Sequence, residues 1–298
     1  MRVIQLPAFS NLFAASFSSL LIISFSTLIT ACMHVDITDK QYIRPDSATG
    51  YKLKQKLTQD DIQKINPSVQ LRDETVIATD QTKLEGLAFQ QNASKVTVLY
   101  FGGNLSHVED SLPFMLKTIG SCNVNLVSFD YRGYGRTAGV PDINNMQEDA
   151  LKIYDAMRAK TTGKLVVHGH SMGSFATGFI AEKRQPDGII LETTASNVRD
   201  MVALSTPWYA KPFVSVNIQD SLQQVDNIRA MSNYHGPALV LTAEKDKQTP
   251  AELGQKVYEA IPSKAKRQLF IKDAGHSGLL RREDVQKAYC EYIQQVSL

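Results

Sequence analysis

The chain has 298 residues, 43% hydrophobic and 21% charged, which is enough for one large domain with a sizeable core. A formal net charge of +2, with no Lys/Arg run and no basic stripe with interleaved aromatics, leaves nucleic-acid binding little support. No Cys/His cluster has zinc spacing, and Gly102-Gly103 lacks the rest of a dinucleotide fingerprint, so neither metal nor cofactor is implied.

After Arg2 no charge occurs until Asp36, and Leu12 to Ile29 is mostly Leu, Ile, Phe, Ala and Ser. This is the layout of a secretory signal, closed by the small residue Ala31. Ile29-Thr30-Ala31-Cys32 resembles a bacterial lipobox, which implies cleavage after residue 31 and lipidation of Cys32. Met33, in place of an aspartate, favours the outer membrane over retention at the inner one. The alternative is an uncleaved signal anchor, because the apolar stretch is nearly long enough to span a bilayer. Removing residues 1–31 takes away only Arg2, so the net charge falls from +2 to +1. In an oxidising compartment Cys122 and Cys290 can pair, and the alternative is two buried thiols.

Residues 32–70 are polar, with Pro45, Gly50 and Pro67, and read as a tether with a short helical piece near Asp60. The globular domain is expected over 71–298. It begins with a hairpin, Glu74–Ala78 and Lys83–Phe89, followed by a β-branched and aromatic strand, Lys95 to Phe101, ending in Gly102-Gly103-Asn104. Helices and strands then alternate: a helix at His107–Ile119, a strand at Asn125–Tyr131, an amphipathic helix at Asn144–Lys160 and a strand at Leu165–His168. Strands follow at Gly188–Glu192, Pro237–Ala243 and Gln268–Ile271, with helices at Ala251–Ala260 and Arg281–Val296. This rhythm predicts an α/β fold with a mostly parallel sheet of about eight strands, helices on both faces. Residues 193–236 break the rhythm and hold Trp208, Tyr209 and Phe213. They read as a small cap over the carboxyl ends of the strands, lining the acyl or leaving-group site.

Gly169-His170-Ser171-Met172-Gly173 fits G-x-S-x-G between a buried strand and a helix, the setting that exposes a serine on a sharp turn. A serine hydroxyl is a weak nucleophile and needs a base that is itself oriented by an acid. Asp246 and His276 each follow a later strand, in the order Ser…Asp…His. Ser171, Asp246 and His276 are therefore the candidate triad. The amide of Met172 and that of Asn104, in the loop after the Lys95–Phe101 strand, are the candidate oxyanion donors. His107, His168 and His170 are weaker candidates for the base, since two of them precede the nucleophile in its own strand. Glu192 and Glu244 are alternatives for the acid. Asp130 and Asp273 read as turn residues.

On these motifs the chain resembles the α/β-hydrolase family over roughly residues 70–296. The closer likeness is to small-capped serine hydrolases with His-Gly-Asn after strand three and Asp-Tyr-Arg-Gly-Tyr-Gly after strand four. The second motif stands intact as Asp130 to Gly135, and the first has Gly102 where histidine is common. The resemblance implies hydrolysis of a carboxylic ester or thioester through an acyl-enzyme. It also implies a small-molecule acyl substrate and no obligate protein partner. A serine peptidase on the same triad and an inactive scaffold lipoprotein are the alternatives.

Overall fold

The computed structural model describes residues 33–91 and 94–298. The signal peptide and Cys32 lie outside the described residues. Among the described residues there are ten strands: β1 (Met33–Ile37), β2 (Val69–Ile77), β3 (Lys83–Gln91), β4 (Val96–Phe101), β5 (Asn125–Phe129), β6 (Lys164–His170), β7 (Gly188–Glu192), β8 (Val214–Ile218), β9 (Ala238–Ala243) and β10 (Lys266–Ile271). Eight form one sheet in the order β10-β9-β7-β6-β4-β5-β3-β2. The pairs from β5 to β10 are parallel, and β3 runs antiparallel to both β2 and β5. This is the α/β-hydrolase arrangement.

The central strands β4, β7 and β9 are buried at every position, as expected for strands covered on both faces. Val98, Tyr100 and Val166 join one face's core with helices Val108–Ile119 and Glu283–Ser297. Leu99, Phe101 and Val167 join the other, against helix Ile143–Lys160. The helix begins at an Asp142–Asn145 capping box, which satisfies amides that the helix itself leaves free. The chain passes from β4 to β5 on one side and returns to β6 on the other. The crevice at the carboxyl ends of β4 and β6 is thus a topological switch point, where open α/β sheets take ligands.

Two features depart from the sequence expectation. The segment expected as a polar spacer is instead laid along the domain from Met33 onward. Its polar groups find partners there: the Asp46 amide donates to the Gly133 carbonyl (2.9 Å), Asp46 Oδ1 meets His107 Nε2 (2.7 Å), and the Leu57 amide donates to Glu109 Oε2 (2.8 Å). Tyr51 stacks on the His107 ring at 3.5 Å. The second departure is a separate two-stranded parallel sheet, in which β1 pairs with β8 of the cap.

A Cys122–Cys290 disulfide ties the end of helix Val108–Ile119 to the last helix across 168 residues of sequence. Closing so long a loop restricts the unfolded chain, with an entropic ceiling of about 5 kcal/mol. Cys290→Ala is expected to lower stability by about 2–5 kcal/mol, read as a fall in Tm that reductant reproduces in the parent and not in the variant.

Candidate active site

Ser171 sits between β6 and helix Gly173–Arg184, with a left-handed backbone at φ +52°. A non-glycine residue rarely accepts that conformation, which costs on the order of 1–3 kcal/mol. It is held by the Ser171 amide donating to the Glu192 carbonyl (2.9 Å) and by the Ser174 amide and hydroxyl donating to the Ser171 carbonyl (2.9 and 2.6 Å). The turn also needs close approach. A Cβ on Gly173 would lie 2.0 Å from the Phe101 carbonyl oxygen, and one on Gly169 2.3 Å from the Gly173 oxygen. No backbone can yield that far without moving β4 or β6.

The triad candidates come together. His276 Nε2 is 2.8 Å from Ser171 Oγ, and His276 Nδ1 is 2.8 Å from Asp246 Oδ2. With Nδ1–H donating to the carboxylate, Nε2 is left to accept the serine proton. Asp246 is almost wholly buried. It accepts from the Gln248 and Thr249 amides (2.8 and 2.9 Å) at Oδ1, and the Thr249 hydroxyl lies 2.7 Å from Oδ2. Burial alone would raise its pKa, but the hydrogen bonds from His276 and Thr249 outweigh it and hold the carboxyl below its ordinary value.

The oxyanion side is built from three segments. Among the described residues, neither the Asn104 nor the Met172 amide is taken by a backbone carbonyl, and both residues line the cavity beside Ser171. The Asp130–Gly135 motif holds this loop: Tyr131 donates to the Gly102 carbonyl (2.9 Å) and Tyr134 to Asn104 Oδ1 (2.8 Å). From the other side the Arg44 amide donates to the Tyr134 hydroxyl (2.9 Å), and Asn104 Nδ2 donates to the Tyr42 carbonyl. In the same motif Arg132 is clamped between Asp80 and Asp149.

The cavity measures about 260 Å³. Tyr42, Ile43 and Arg44 wall it on one side, and Val198, Met201, Leu222 and Val225 of the cap on the other. The cap therefore lines the pocket with aliphatic side chains. Its aromatics point elsewhere, with Trp208 82% exposed.

The rival residues are engaged in other work. His168 is wholly buried, with Nε2 3.1 Å from Glu192 Oε2 and Nδ1 3.3 Å from the Tyr289 hydroxyl. Burial lowers its pKa against the pull of Glu192. Burial would raise Glu192, but the hydrogen bond from His168 and the nearby histidines bring it below its ordinary value. His170 meets the His276 carbonyl at 3.2 Å, and Glu244 accepts the Asp273 amide at 2.8 Å. Asp130 accepts the Val108 and Arg136 amides, and burial pushes its pKa up to about 6. Asp273 pairs with Lys245 at 2.6 Å. Sequence reasoning did not single out Thr249, Tyr131, Tyr134 or residues 42–44. Tyr131 and Tyr134 stood within the Asp130–Gly135 motif, and Thr249 carried a local signal of its own, a hydroxyl three residues after an aspartate in a turn.

The family described as serine aminopeptidase, S33, matches residues 92–224. The lysophosphatidylserine lipase ABHD12 of Xenopus tropicalis is 28% identical over 231 residues, which cover 68% of this chain and 58% of the relative. ABHD12 of Rattus norvegicus is 30% identical over 195 residues, covering 58% and 48%, so the chain spans about half the length of these curated relatives. Among solved structures, the Pyrococcus furiosus esterase Pf2001 superposes with a TM-score of 0.65 at 15% identity, covering 86% of this chain and 99% of the other. An acetyl xylan esterase from Paenibacillus sp. R4 gives 0.60 at 17%, covering 76% and 84%. At these identities the structures establish the fold.

Two outcomes follow from the geometry. Because Asp246 has a lower pKa folded than unfolded, its carboxylate stabilises the fold above the unfolded pKa, and that contribution is lost as pH falls through the folded value. Asp246→Asn is expected to flatten the fall in Tm between about pH 7 and about pH 3, measured by calorimetry. Tyr134→Phe, which removes one of the hydrogen bonds holding the Asn104 side chain, is expected to lower kcat roughly 10-fold with KM little changed, a smaller loss than the roughly 10²–10³-fold that removal of an oxyanion donor costs.

Proposed function

We propose, on the premise that this chain belongs to the α/β-hydrolase superfamily, that it is a serine hydrolase cleaving a carboxylic ester or thioester through an acyl-enzyme. The observation that carries this reading is the continuous Ser171–His276–Asp246 hydrogen-bond chain, with both links at 2.8 Å, opening on an aliphatic cavity. Ser171 Oγ attacks the acyl carbonyl while His276 Nε2 takes its proton. The Asn104 and Met172 amides stabilise the oxyanion. The tetrahedral adduct collapses, and the leaving alcohol or thiol departs with the proton from His276. Water, deprotonated by His276, then attacks the acyl-serine and releases the acid. Asp246 holds the Nδ1–H tautomer and stabilises the imidazolium.

The substrate is best read as a lipid-like acyl ester. Aliphatic side chains of the cap supply an acyl wall, and Arg44 is the sole charged residue lining the cavity, which suits a neutral or anionic leaving group. An aminopeptidase reading is favoured by the family match. It needs a carboxylate to hold a peptide's ammonium group, and the cavity lining includes no Asp or Glu. The chain is further read as a lipoprotein of a bacterial envelope, held at the outer membrane through acylated Cys32. Each buried CH₂ of the acyl chains would contribute about 0.8 kcal/mol to that anchor. Among the described residues no helix is long and apolar enough to cross a membrane.

Ser171→Ala and His276→Ala are each expected to abolish labelling by a fluorophosphonate probe. Full labelling of the serine variant would end the assignment. A screen over p-nitrophenyl esters of rising chain length, with an acyl thioester and an aminoacyl amide alongside, is expected to show ester or thioester turnover well above amide. Cys32→Ala, or globomycin, is expected to block processing.

A further inference from the structure

The apolar surface of the cap and the point where the chain leaves for its N-terminal segment lie at the same place. In the β1–β8 ladder Met33 is the register partner of Val214, and Ile37 that of Ile218. The strands are parallel, so Met33, the N-terminal end of β1, lies at the Val214 end of the ladder, next in sequence to Phe213. Cys32 and the uncharged stretch Leu12–Ile29 precede Met33 directly in sequence. On either reading of the N-terminus, acylated Cys32 or an uncleaved apolar segment, the attachment precedes Met33 directly in sequence, and Met33 lies at the Val214 end of the ladder.

The surface found there has the composition of an interface with lipid. Met33 is 59% exposed, Leu204 42%, Trp208 82%, Tyr209 64% and Phe213 51%. From Met201 to Gln219 the one charged residue is Lys211. Trp and Tyr favour the boundary between headgroups and acyl chains, because a ring carries an apolar body and a polar edge. Behind the aromatics an apolar groove of about 380 Å³ runs between Val202, Val214, Val216 and Ile218, with Arg199 and Lys211 among its lining residues. Neither cation is in an ion pair among the described residues. An exposed aromatic tip with two free cations matches an anionic headgroup layer. Helix Val198–Ser205 connects this surface to the chemistry: Val198 and Met201 line the Ser171 cavity, and Leu204 faces outward.

The geometry points to the cap tip, Trp208, Tyr209 and Phe213, as a docking surface that lies in the headgroup layer of the anionic bilayer holding the protein. The β1–β8 ladder fixes it beside the attachment point, and Arg199 and Lys211 face lipid phosphates. This rests on the reading of the N-terminus as membrane-attached and is independent of the triad. It links the docked surface to the acyl pocket through helix Val198–Ser205, whose Val198 and Met201 line the cavity.

Trp208 is the sole tryptophan, so its fluorescence reports on this surface alone. The test uses the full chain reconstituted into phosphatidylethanolamine/phosphatidylglycerol vesicles, with plain or brominated acyl chains. Brominated lipid is expected to quench Trp208. Acrylamide quenching is expected to be weaker by roughly threefold than for a water-exposed indole. Tyr209→Ser/Phe213→Ser is expected to reverse both effects, to leave p-nitrophenyl acetate hydrolysis within about twofold, and to slow turnover of a long-chain monoacyl ester carried in vesicles at least several-fold, since the exposed rings lie outside the cavity. Vesicle flotation with Trp208 fully open to acrylamide and untouched by bromine overturns the docking surface and leaves the attachment standing. Shielding that appears only at high protein-to-lipid ratio assigns the surface to a second copy of the chain and also overturns it. Failure to float overturns attachment and docking together, while the soluble ester judges the hydrolase reading separately.

Discussion

Everything that performs chemistry here depends on one strained turn. Ser171 holds a left-handed backbone because β6 must end, reverse and start a helix within three residues while presenting Oγ at the sheet's edge. The strain of on the order of 1–3 kcal/mol is small beside the surrounding core, where β4, β6 and β7 bury nearly every side chain. The core offsets it, but only if the backbones come closer than side chains allow, which is why Gly169 and Gly173 flank the serine. The same contact that permits the turn, Gly173 against the carbonyls of Phe101 and Gly102, brings the oxyanion loop beside the nucleophile. The candidate nucleophile and the candidate oxyanion donors are thus set by one packing event.

Legibility in the sequence follows the range of the interactions. The grouping of Ser171, Asp246 and His276 was legible because each follows a strand with its own local pattern, and chain order alone favoured His276 over His168 and His170 as the partner of Ser171. The helices and sheet strands were legible from apolar periodicity. The supports were not. Tyr131 and Tyr134 stand in a visible motif, but their partners, Gly102 and Asn104, lie about thirty residues away. No local feature says which hydroxyl meets which carbonyl.

The segment before Val69 misled for the same reason. Its polar composition resembles a linker, yet polarity serves here to dock it, through Asp46 to His107 and Gly135 and through Leu57 to Glu109. The β1–β8 pairing joins residues about 180 apart, and each strand is five residues with alternating exposure. Alone, neither is distinguishable from loop. Together they satisfy each other's backbone groups, which neither sequence can announce.

That pairing changes what the N-terminal segment does mechanically. A free chain from Met33 to Arg44 could reach on the order of 40 Å when extended. Bound into a ladder with the cap, and then to Asn104 and Tyr134, the same stretch retains almost no slack. Tyr42 to Arg44, which line the cavity, therefore belong to the segment that carries β1, and Val198, Met201, Leu222 and Val225, which also line it, belong to the cap in which its partner β8 lies. The N-terminal segment and the cavity are in this way one packed unit, because the residues that follow β1 hold the Asn104 side chain through the Arg44 amide and the Tyr42 carbonyl.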